Sequence, residues 1–320
     1  MTSLRTPRFI QRHVADTAAD RDAIEAGLSA RPAHASPKYF YDSLGSHLFE
    51  AITELPEYYP TRTEAAILQT QGAAIADCIG AGATLIDLGA GNCEKATRLF
   101  PLLEPSRYVA VDISVDFLHD ALRRVQREHP QLEIVGLGHD FSNRLEIEPE
   151  LIHDRAVFFY PGSSIGNFTP AEALVFLKRV RSQALGGGLL IGVDLVKPSA
   201  TLQAAYDDAL GVTAAFNLNI LRQLNRLIGS NFVPTDWRHV GLYNDAQSRI
   251  EMHLEARRDI AVRWPGAERL FRAGERIHTE NSYKYTVERF AGLLEAAGFK
   301  APRHWTDERG WFGVFWATAD

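Results

Sequence analysis

The feature that most constrains this chain is a glycine turn that directly follows a short apolar strand. Residues 85–95 read Leu-Ile-Asp-Leu-Gly-Ala-Gly-Asn-Cys-Glu-Lys, so four residues suited to a buried strand lead straight into Gly89 and Gly91. A second apolar run, residues 108–111, ends at Asp112, about 20 residues beyond the turn. This spacing fits a turn, a helix and the next strand, and an acid there can accept hydrogen bonds from ribose hydroxyls. The pattern therefore predicts an adenosine-containing cofactor.

The rest of the turn distinguishes between such cofactors. A dinucleotide site has a third glycine three residues after the second, but this chain has Glu94 there, followed by Lys95. It also lacks a phosphate-binding run of glycine, lysine and serine or threonine. S-adenosylmethionine carries adenosine and an amino acid but no phosphate, so the turn favours this cofactor and disfavours a nicotinamide dehydrogenase. A plain strand-to-helix turn without a ligand is the alternative.

Composition excludes several classes of function. The formal charge of −6 and the pI near 6.0 argue against a general nucleic-acid or anionic-membrane binder. Neither a membrane-spanning apolar run nor a signal-peptide pattern is present in the sequence, so we expect a cytoplasmic protein. The histidines form no i, i+4 pair with a helper acid, and the two cysteines have no metal-binding spacing, so we expect no metal site.

The middle of the chain alternates short apolar strands with helical segments. The predicted strands are residues 85–88, 108–111, 132–137, 156–160 and 189–195, and the predicted helices are residues 63–79, 95–103, 114–130 and 169–185. This alternation indicates an α/β fold, a Rossmann-like parallel sheet with helices on both faces. The rhythm breaks at residue 197 and resumes with a helix at 287–297 and two late strands, near 303–305 and at 312–318.

The break defines two domains. We assign residues 62–196 and 286–320 to a cofactor-binding domain, and residues 1–61 and 197–285 to a second, substrate-binding lobe. Ligands of open α/β folds bind at the carboxyl edge of the sheet, so we expect the second lobe to lie over that edge.

Candidate ligand-binding residues follow two of the predicted strands. Asp140 and Phe141 come after the third strand, where an acid can accept the adenine amino group and a ring can pack beside the base. A helix-capping aspartate and a core phenylalanine are the alternative. Asn167 follows the fourth strand, within glycines and small polar residues, and offers both a donor and an acceptor. An ordinary turn residue is the alternative there.

Three further segments combine aromatic and polar residues. Residues 38–50 and 55–62 are dense in aromatic rings, which either pack in a core or face an ammonium group. If residues 278–285 form a strand, Glu280, Ser282 and Lys284 share one face of it. That face either binds a ligand or is simply solvated.

Taken together, these segments resemble the histidine Nα-methyltransferases of ergothioneine biosynthesis, which make trimethylhistidine (hercynine) from histidine and S-adenosylmethionine. The motifs that carry the resemblance are Phe40-Tyr41-Asp42…Gly45-Ser46…Leu48-Phe49, Leu55-Pro56-Glu57-Tyr58-Tyr59-Pro60-Thr61-Arg62, Asp87-Leu88-Gly89-Ala90-Gly91 and Gly162-Ser163-Ser164-Ile165-Gly166-Asn167. They extend over most of the chain. Asn92-Cys93 and residues 283–285 depart from the usual family pattern, but neither departure removes a matched position.

The resemblance implies a role for each matched residue. The residues implied to hold S-adenosylmethionine are Gly89, Lys95, Asp112, Asp140 and Phe141. The residues implied to bind histidine are Tyr58, Asn167 and Tyr206 at its amino and carboxylate groups, Phe49 beside the amine, Glu280 and Ser282 at the imidazole, and Met252 nearby. Tyr41 also lines the amine and is the catalytic candidate, carrying the proton away through water.

Two other functions use the same scaffold. The acceptor can be another amino acid such as tryptophan, but an indole leaves Glu280 poorly paired, so Glu280 and Met252 favour histidine. A non-catalytic S-adenosylmethionine-binding protein needs no amino-acid pocket, so Tyr58, Asn167 and Tyr206 argue against it. We therefore expect a monomeric enzyme whose partner is the small molecule L-histidine.

Overall fold

The computed structural model describes residues 5–12, 17–141, 144–153, 155–184 and 186–320. Its strands are β1 (Arg8–Gln11), β2 (Ala33–His34), β3 (Thr84–Leu88), β4 (Arg107–Asp112), β5 (Glu133–Gly138), β6 (Ala156–Tyr160), β7 (Gly188–Asp194), β8 (Trp237–Asn244), β9 (Arg249–Ala256), β10 (Ile260–Trp264), β11 (Ala267–Phe271), β12 (Arg276–Tyr283), β13 (Lys300–Thr306) and β14 (Phe312–Thr318). Its α-helices are α1 (Thr17–Ser29), α2 (Ser43–Thr53), α3 (Tyr59–Ile79), α4 (Glu94–Thr97), α5 (Phe100–Leu103), α6 (Val115–Glu128), α7 (Pro170–Gln183), α8 (Ser199–Ala204), α9 (Val212–Ile228) and α10 (Val287–Ala296).

These elements form two compact units. Within the described ranges, the first unit contains residues 5–12, 60–196 and 284–320, and the second contains residues 17–59 and 197–283. Each helix in the described part of the chain is too short or too polar to cross a bilayer.

The first unit is built on an eight-stranded sheet with the order β1-β5-β4-β3-β6-β7-β14-β13. Strands β1 to β7 of this sheet pair in parallel, and β14 pairs antiparallel with both β7 and β13. Every residue of β3, β6 and β7 is buried, as expected for strands covered on both faces. The predicted α/β fold is confirmed. The strand order reverses between β3 and β6, which is where ligands bind in such sheets.

Two expectations for this unit were wrong. The prediction placed residues 1–61 in the second lobe, but β1 pairs in parallel with β5 at the edge of the large sheet. Gly136 makes this possible, because a β-carbon there would lie 2.8 Å from the ring of Phe9. The single helix predicted over residues 95–103 is two short helices, since Pro101 has no N–H to continue the first one. The predicted end of the 169–185 helix, Leu185, lies outside the described residues.

The second unit contains a four-stranded sheet, β2-β12-β9-β8, and the hairpin β10-β11. Residues of β9 and β12 pair as His278 with His253 and Glu280 with Met252, so the register shifts at Thr279. This bulge places Glu280 on the same sheet face as Met252, whereas regular alternation would have kept it on the face of His278. Glu280 thereby lies on the face that carries Thr279, which hydrogen-bonds to Asn217 of α9.

Candidate functional site

The glycine turn after β3 is held against the end of β4. The N–H groups of Gly89 and Ala90 donate to the carbonyl of Val111 over 2.9 and 3.1 Å. Gly89 and Gly91 have φ angles of 72° and 52°, a region that residues with a β-carbon rarely adopt. A β-carbon at Gly91 would meet nothing closer than 4.0 Å, so the backbone of the turn is open to a ligand.

Asp112 is fixed in place at the end of β4. Its Oδ2 accepts from the N–H of Gly91 at 2.9 Å, and its Oδ1 accepts from the N–H of Ser114 at 2.8 Å. Burial raises the pKa of Asp112, while these backbone N–H groups act in the opposite direction. Each carboxylate oxygen has two lone pairs, so Asp112 can still accept hydrogen bonds from a ligand diol.

Asp140 and Phe141 follow β5, the strand that pairs with β4, at whose end Asp112 lies. The N–H of His139 donates to the carbonyl of Asp112 at 3.0 Å, which joins the ends of β4 and β5. The Cζ atom of Phe141 lies 3.8 Å from the position of a β-carbon on Gly89. The structure therefore brings Gly89, Asp112 and Phe141 together, with Asp140 preceding the ring in sequence.

Lys95 is paired with a glutamate that the sequence pattern did not single out as functional. Its Nζ donates to Oε2 of Glu64 at 2.7 Å, and the N–H of Gly162 donates to Oε1 of the same carboxylate at 2.9 Å. The side chain of Glu64 is 2% exposed and that of Lys95 is 31% exposed. In the sequence, Glu64 indicated only the beginning of a helix, and no local signal reveals a partner 31 residues away.

A second acid lies beneath the turn. Asp87 of β3 accepts a hydrogen bond from the Tyr108 hydroxyl at 2.7 Å, and its Oδ1 has no hydrogen-bond partner among the described residues. Burial raises the pKa of Asp87 to about 7. The carboxyl is therefore partly protonated near neutrality.

These groups fit S-adenosylmethionine. The open left-handed glycines admit a ligand to the backbone, Asp112 can accept from a ribose, Phe141 offers a ring face and Lys95 a cation. Among the described residues, no cluster of three or more histidine, cysteine or carboxylate side chains could hold a metal ion.

The second unit assembles most of the predicted substrate residues from distant parts of its sequence. Ring centroids are 5.8 Å apart for Tyr41 and Phe49, 6.2 Å for Phe49 and Tyr58, and 6.4 Å for Tyr58 and Tyr206. The Tyr206 hydroxyl then donates to Ser282 Oγ at 2.7 Å. Contacting side chains therefore form a continuous series from α2 and its preceding turn to strand β12.

Phe216 of α9 belongs to this aromatic cluster, although the sequence analysis missed it. Its ring centroid lies 4.6 Å from that of Phe40, 5.8 Å from that of Tyr41 and 6.0 Å from that of Phe49. In the sequence it is one apolar residue among several on an amphipathic helix, which is the usual signal of a core position.

Tyr206 is also held through its backbone. His239 Nε2 donates to the Tyr206 carbonyl at 2.7 Å, and His239 Nδ1 accepts from Asn217 Nδ2 at 2.8 Å. The Thr279 hydroxyl donates to Asn217 Oδ1 at 2.8 Å. Burial lowers the pKa of His239, which favours the neutral ring that this bonding requires. The network connects Tyr206 to the bulge that orients Glu280.

The remaining substrate candidates divide between the units. Glu280 and Met252 face each other across β12 and β9, at 8% and 2% exposure. Asn167 lies in the first unit, in the 3-10 helix Ser164–Asn167 after β6. That helix follows Ser163, whose Oγ accepts from the N–H of Asp194 at 2.8 Å.

Comparisons with known proteins agree with this chemistry. The family described as histidine-specific methyltransferase, SAM-dependent, matches residues 20–319. Histidine N-alpha-methyltransferase of Mycolicibacterium smegmatis is 41% identical over 94% of this chain and 95% of its own length. The protein of the same name from Mycobacterium tuberculosis is 41% identical over 92% of this chain and 93% of its own. Ergothioneine biosynthesis protein 1 of Neurospora crassa is 35% identical over 83% of this chain, which spans 31% of that protein.

Proposed function

This chain belongs to the family of S-adenosylmethionine-dependent, histidine-specific methyltransferases, and we propose that it trimethylates the α-amino group of L-histidine to give hercynine, the first step of ergothioneine biosynthesis. Its identity of 41% to two histidine N-alpha-methyltransferases, over nearly the full length of each, supports the substrate. The structural observation that carries the proposal is the continuous series of side chains from Tyr41 to Ser282 in the second unit.

The first unit holds the cofactor in this proposal. Gly89, Asp112, Asp140 and Phe141 bind its adenosine part, and Lys95 binds its charged amino-acid part. S-adenosylmethionine supplies an electrophilic methyl group, so the protein has no covalent intermediate to form, and placing the acceptor amine contributes much of the rate enhancement.

The second unit recognises histidine by its two ends. The Glu280 carboxylate accepts the imidazole N–H, and Ser282 bonds to the other ring nitrogen. Tyr58 and Tyr206 bind the amino and carboxylate groups. The backbone bonds that hold Tyr206 support this arrangement, because they connect both ends of the substrate set through one network.

Tyr41 carries the proton in this mechanism. An amine attacks only when it is neutral, so the substrate ammonium must first lose a proton. The Tyr41 hydroxyl, through a water molecule, passes that proton toward solvent. Tyr41 and Phe49 present ring faces to the nitrogen, and these faces attract a cation without needing an N–H donor from it.

A product assay tests the proposal. The protein is incubated with methyl-labelled S-adenosylmethionine and each of the twenty amino acids, and the products are fragmented by mass spectrometry. We expect three labelled methyl groups on the α-nitrogen of histidine, and no product from Nα-acetylhistidine, whose amine is blocked. Label on the imidazole ring, or a clear preference for tryptophan, would contradict the proposal.

A further inference from the structure

We propose that Glu64 is a positioning residue for the cofactor: it holds the Lys95 ammonium where that group binds the carboxylate at the amino-acid end of S-adenosylmethionine. The inference rests on the proposed function only in its choice of cofactor. It assigns a role to a buried acid that the mechanism above does not use.

The geometry around Glu64 is closely constrained. Its two oxygens accept from Lys95 Nζ at 2.7 Å and from the Gly162 N–H at 2.9 Å. Two glycines leave space for this pair. A β-carbon on Gly192 would lie 2.1 Å from Glu64 Oε1, and one on Gly162 would lie 3.0 Å from Lys95 Nζ. The carboxylate therefore joins α3 to α4, which follows the glycine turn, and to the loop after β6.

The order of the strands locates Lys95 relative to the rest of the site. Asp112 ends β4, the glycine turn follows β3, and Gly162 follows β6, with β3 between β4 and β6. Two strand spacings amount to about 10 Å. We place the ribose at Asp112, at the end of β4, and the rest of the cofactor along the open glycine turn after β3, so that it extends toward Gly162 at the end of β6. Its amino-acid end therefore reaches the Lys95 ammonium.

The different burial of the two partners argues for a role beyond stabilising the fold. Glu64 is almost wholly buried, while the Lys95 side chain is 31% exposed. An ammonium group has three donors, and Glu64 uses one of them. Lys95 is thus fixed by a buried carboxylate, while about a third of its side chain stays exposed for the approach of a second anion. A purely structural ion pair has no need of this exposure.

Calorimetric binding of two cofactor analogues tests the assignment. S-adenosylhomocysteine keeps the amino-acid end, whereas 5′-methylthioadenosine lacks it. We expect Glu64→Gln and Lys95→Met each to weaken binding of S-adenosylhomocysteine by about 10-fold or more. Binding of 5′-methylthioadenosine should stay within about twofold of wild type, because that ligand does not reach Lys95.

A double variant shows whether Glu64 acts through Lys95. We expect Glu64→Gln/Lys95→Met to lose no more affinity for S-adenosylhomocysteine than Lys95→Met alone. Glu64→Asp keeps the charge but shortens the side chain, so it should show the same selective loss of affinity for S-adenosylhomocysteine. This variant replaces Glu64→Gln in the test if Glu64→Gln folds poorly. Glu133→Gln is the matched control, since it breaks the 2.7 Å ion pair with Arg107 at the amino end of the same sheet.

The possible outcomes separate this inference from the proposed function. Equal losses for both analogues, additive losses in the double variant, or unchanged affinity in Glu64→Gln and Glu64→Asp would each overturn the role of Glu64. If the wild-type protein binds neither analogue, the choice of cofactor is wrong and the proposed function fails with it.

Discussion

Replacing Glu280 by alanine tests how the second unit selects its substrate. Glu280 is 8% exposed and faces Met252 across the strand pair, so its carboxylate is largely withdrawn from water. A hydrogen bond to a charged partner contributes about 1.5–3 kcal/mol. We therefore expect Glu280→Ala to lower kcat/KM for histidine by roughly 10- to 150-fold. Glu280→Gln keeps an acceptor oxygen but loses the charge, so its loss should be smaller.

The assay is steady-state methylation of histidine, with the affinity for S-adenosylhomocysteine measured beside it. The loss should be confined to histidine turnover, because Glu280 lies in the second unit and is expected to bond to the imidazole and not to the cofactor. Glu255→Gln is the matched control: Glu255 is also 8% exposed, but it lies on the opposite face of β9, bonded to Arg238 and Arg276. An unchanged kcat/KM for histidine in Glu280→Ala, or an equal loss in Glu255→Gln, would refute the assignment of Glu280.

Two further predictions concern stability. Burial and the neighbouring His253 ring lower the pKa of His278 from 6.5 to about 4. Between these pH values the folded state binds fewer protons than the unfolded state. The free energy of unfolding therefore falls by up to about 3 kcal/mol as the pH falls through this range. In urea unfolding, the free energy of unfolding of His278→Gln should change less between pH 6.5 and pH 4 than that of wild type. The same pH dependence in both proteins would contradict the role given to His278. Lys284→Met should lower the free energy of unfolding by about 3–5 kcal/mol, because it removes the ammonium that lies 2.7 Å from Asp194, both side chains being at most 1% exposed. Adding Asp194→Asn should recover part of that loss. A Lys284→Met variant as stable as wild type would argue against the buried pair.

The cofactor half of the site was predictable because its signals are local. An apolar strand, two glycines and an acid at the next strand end follow one another within a single strand–helix–strand unit. The φ angles of 72° at Gly89 and 52° at Gly91 show why glycines are needed at that point. Parallel strands present their carboxyl ends at one edge, so Phe141 was expected near the same turn.

Features that depend on distant pairing were not predictable. The four residues of β1 carry too little pattern to define an edge strand, and their place depends on Gly136 far along the chain. Strict alternation would put His278 and Glu280 on one face, but the bulge at Thr279 separates them. The face proposed for Glu280 and Ser282 also included Lys284, which lies beyond the end of β12 and pairs with Asp194.

Trimethylation sets a requirement that the aromatic cluster meets. The nitrogen loses one N–H with each transfer and ends with none, so fixed hydrogen bonds to the amine cannot hold all the intermediates. Contacts that hold the substrate in every methylation state must be made to its carboxylate and its imidazole, or by protein groups that do not need an N–H donor on the nitrogen. In the proposed site, the rings of Tyr41 and Phe49, with centroids 5.8 Å apart, are such groups. An aromatic face attracts a quaternary ammonium without a directional bond, so in this proposal the nitrogen turns between transfers while Glu280 keeps the imidazole end in place.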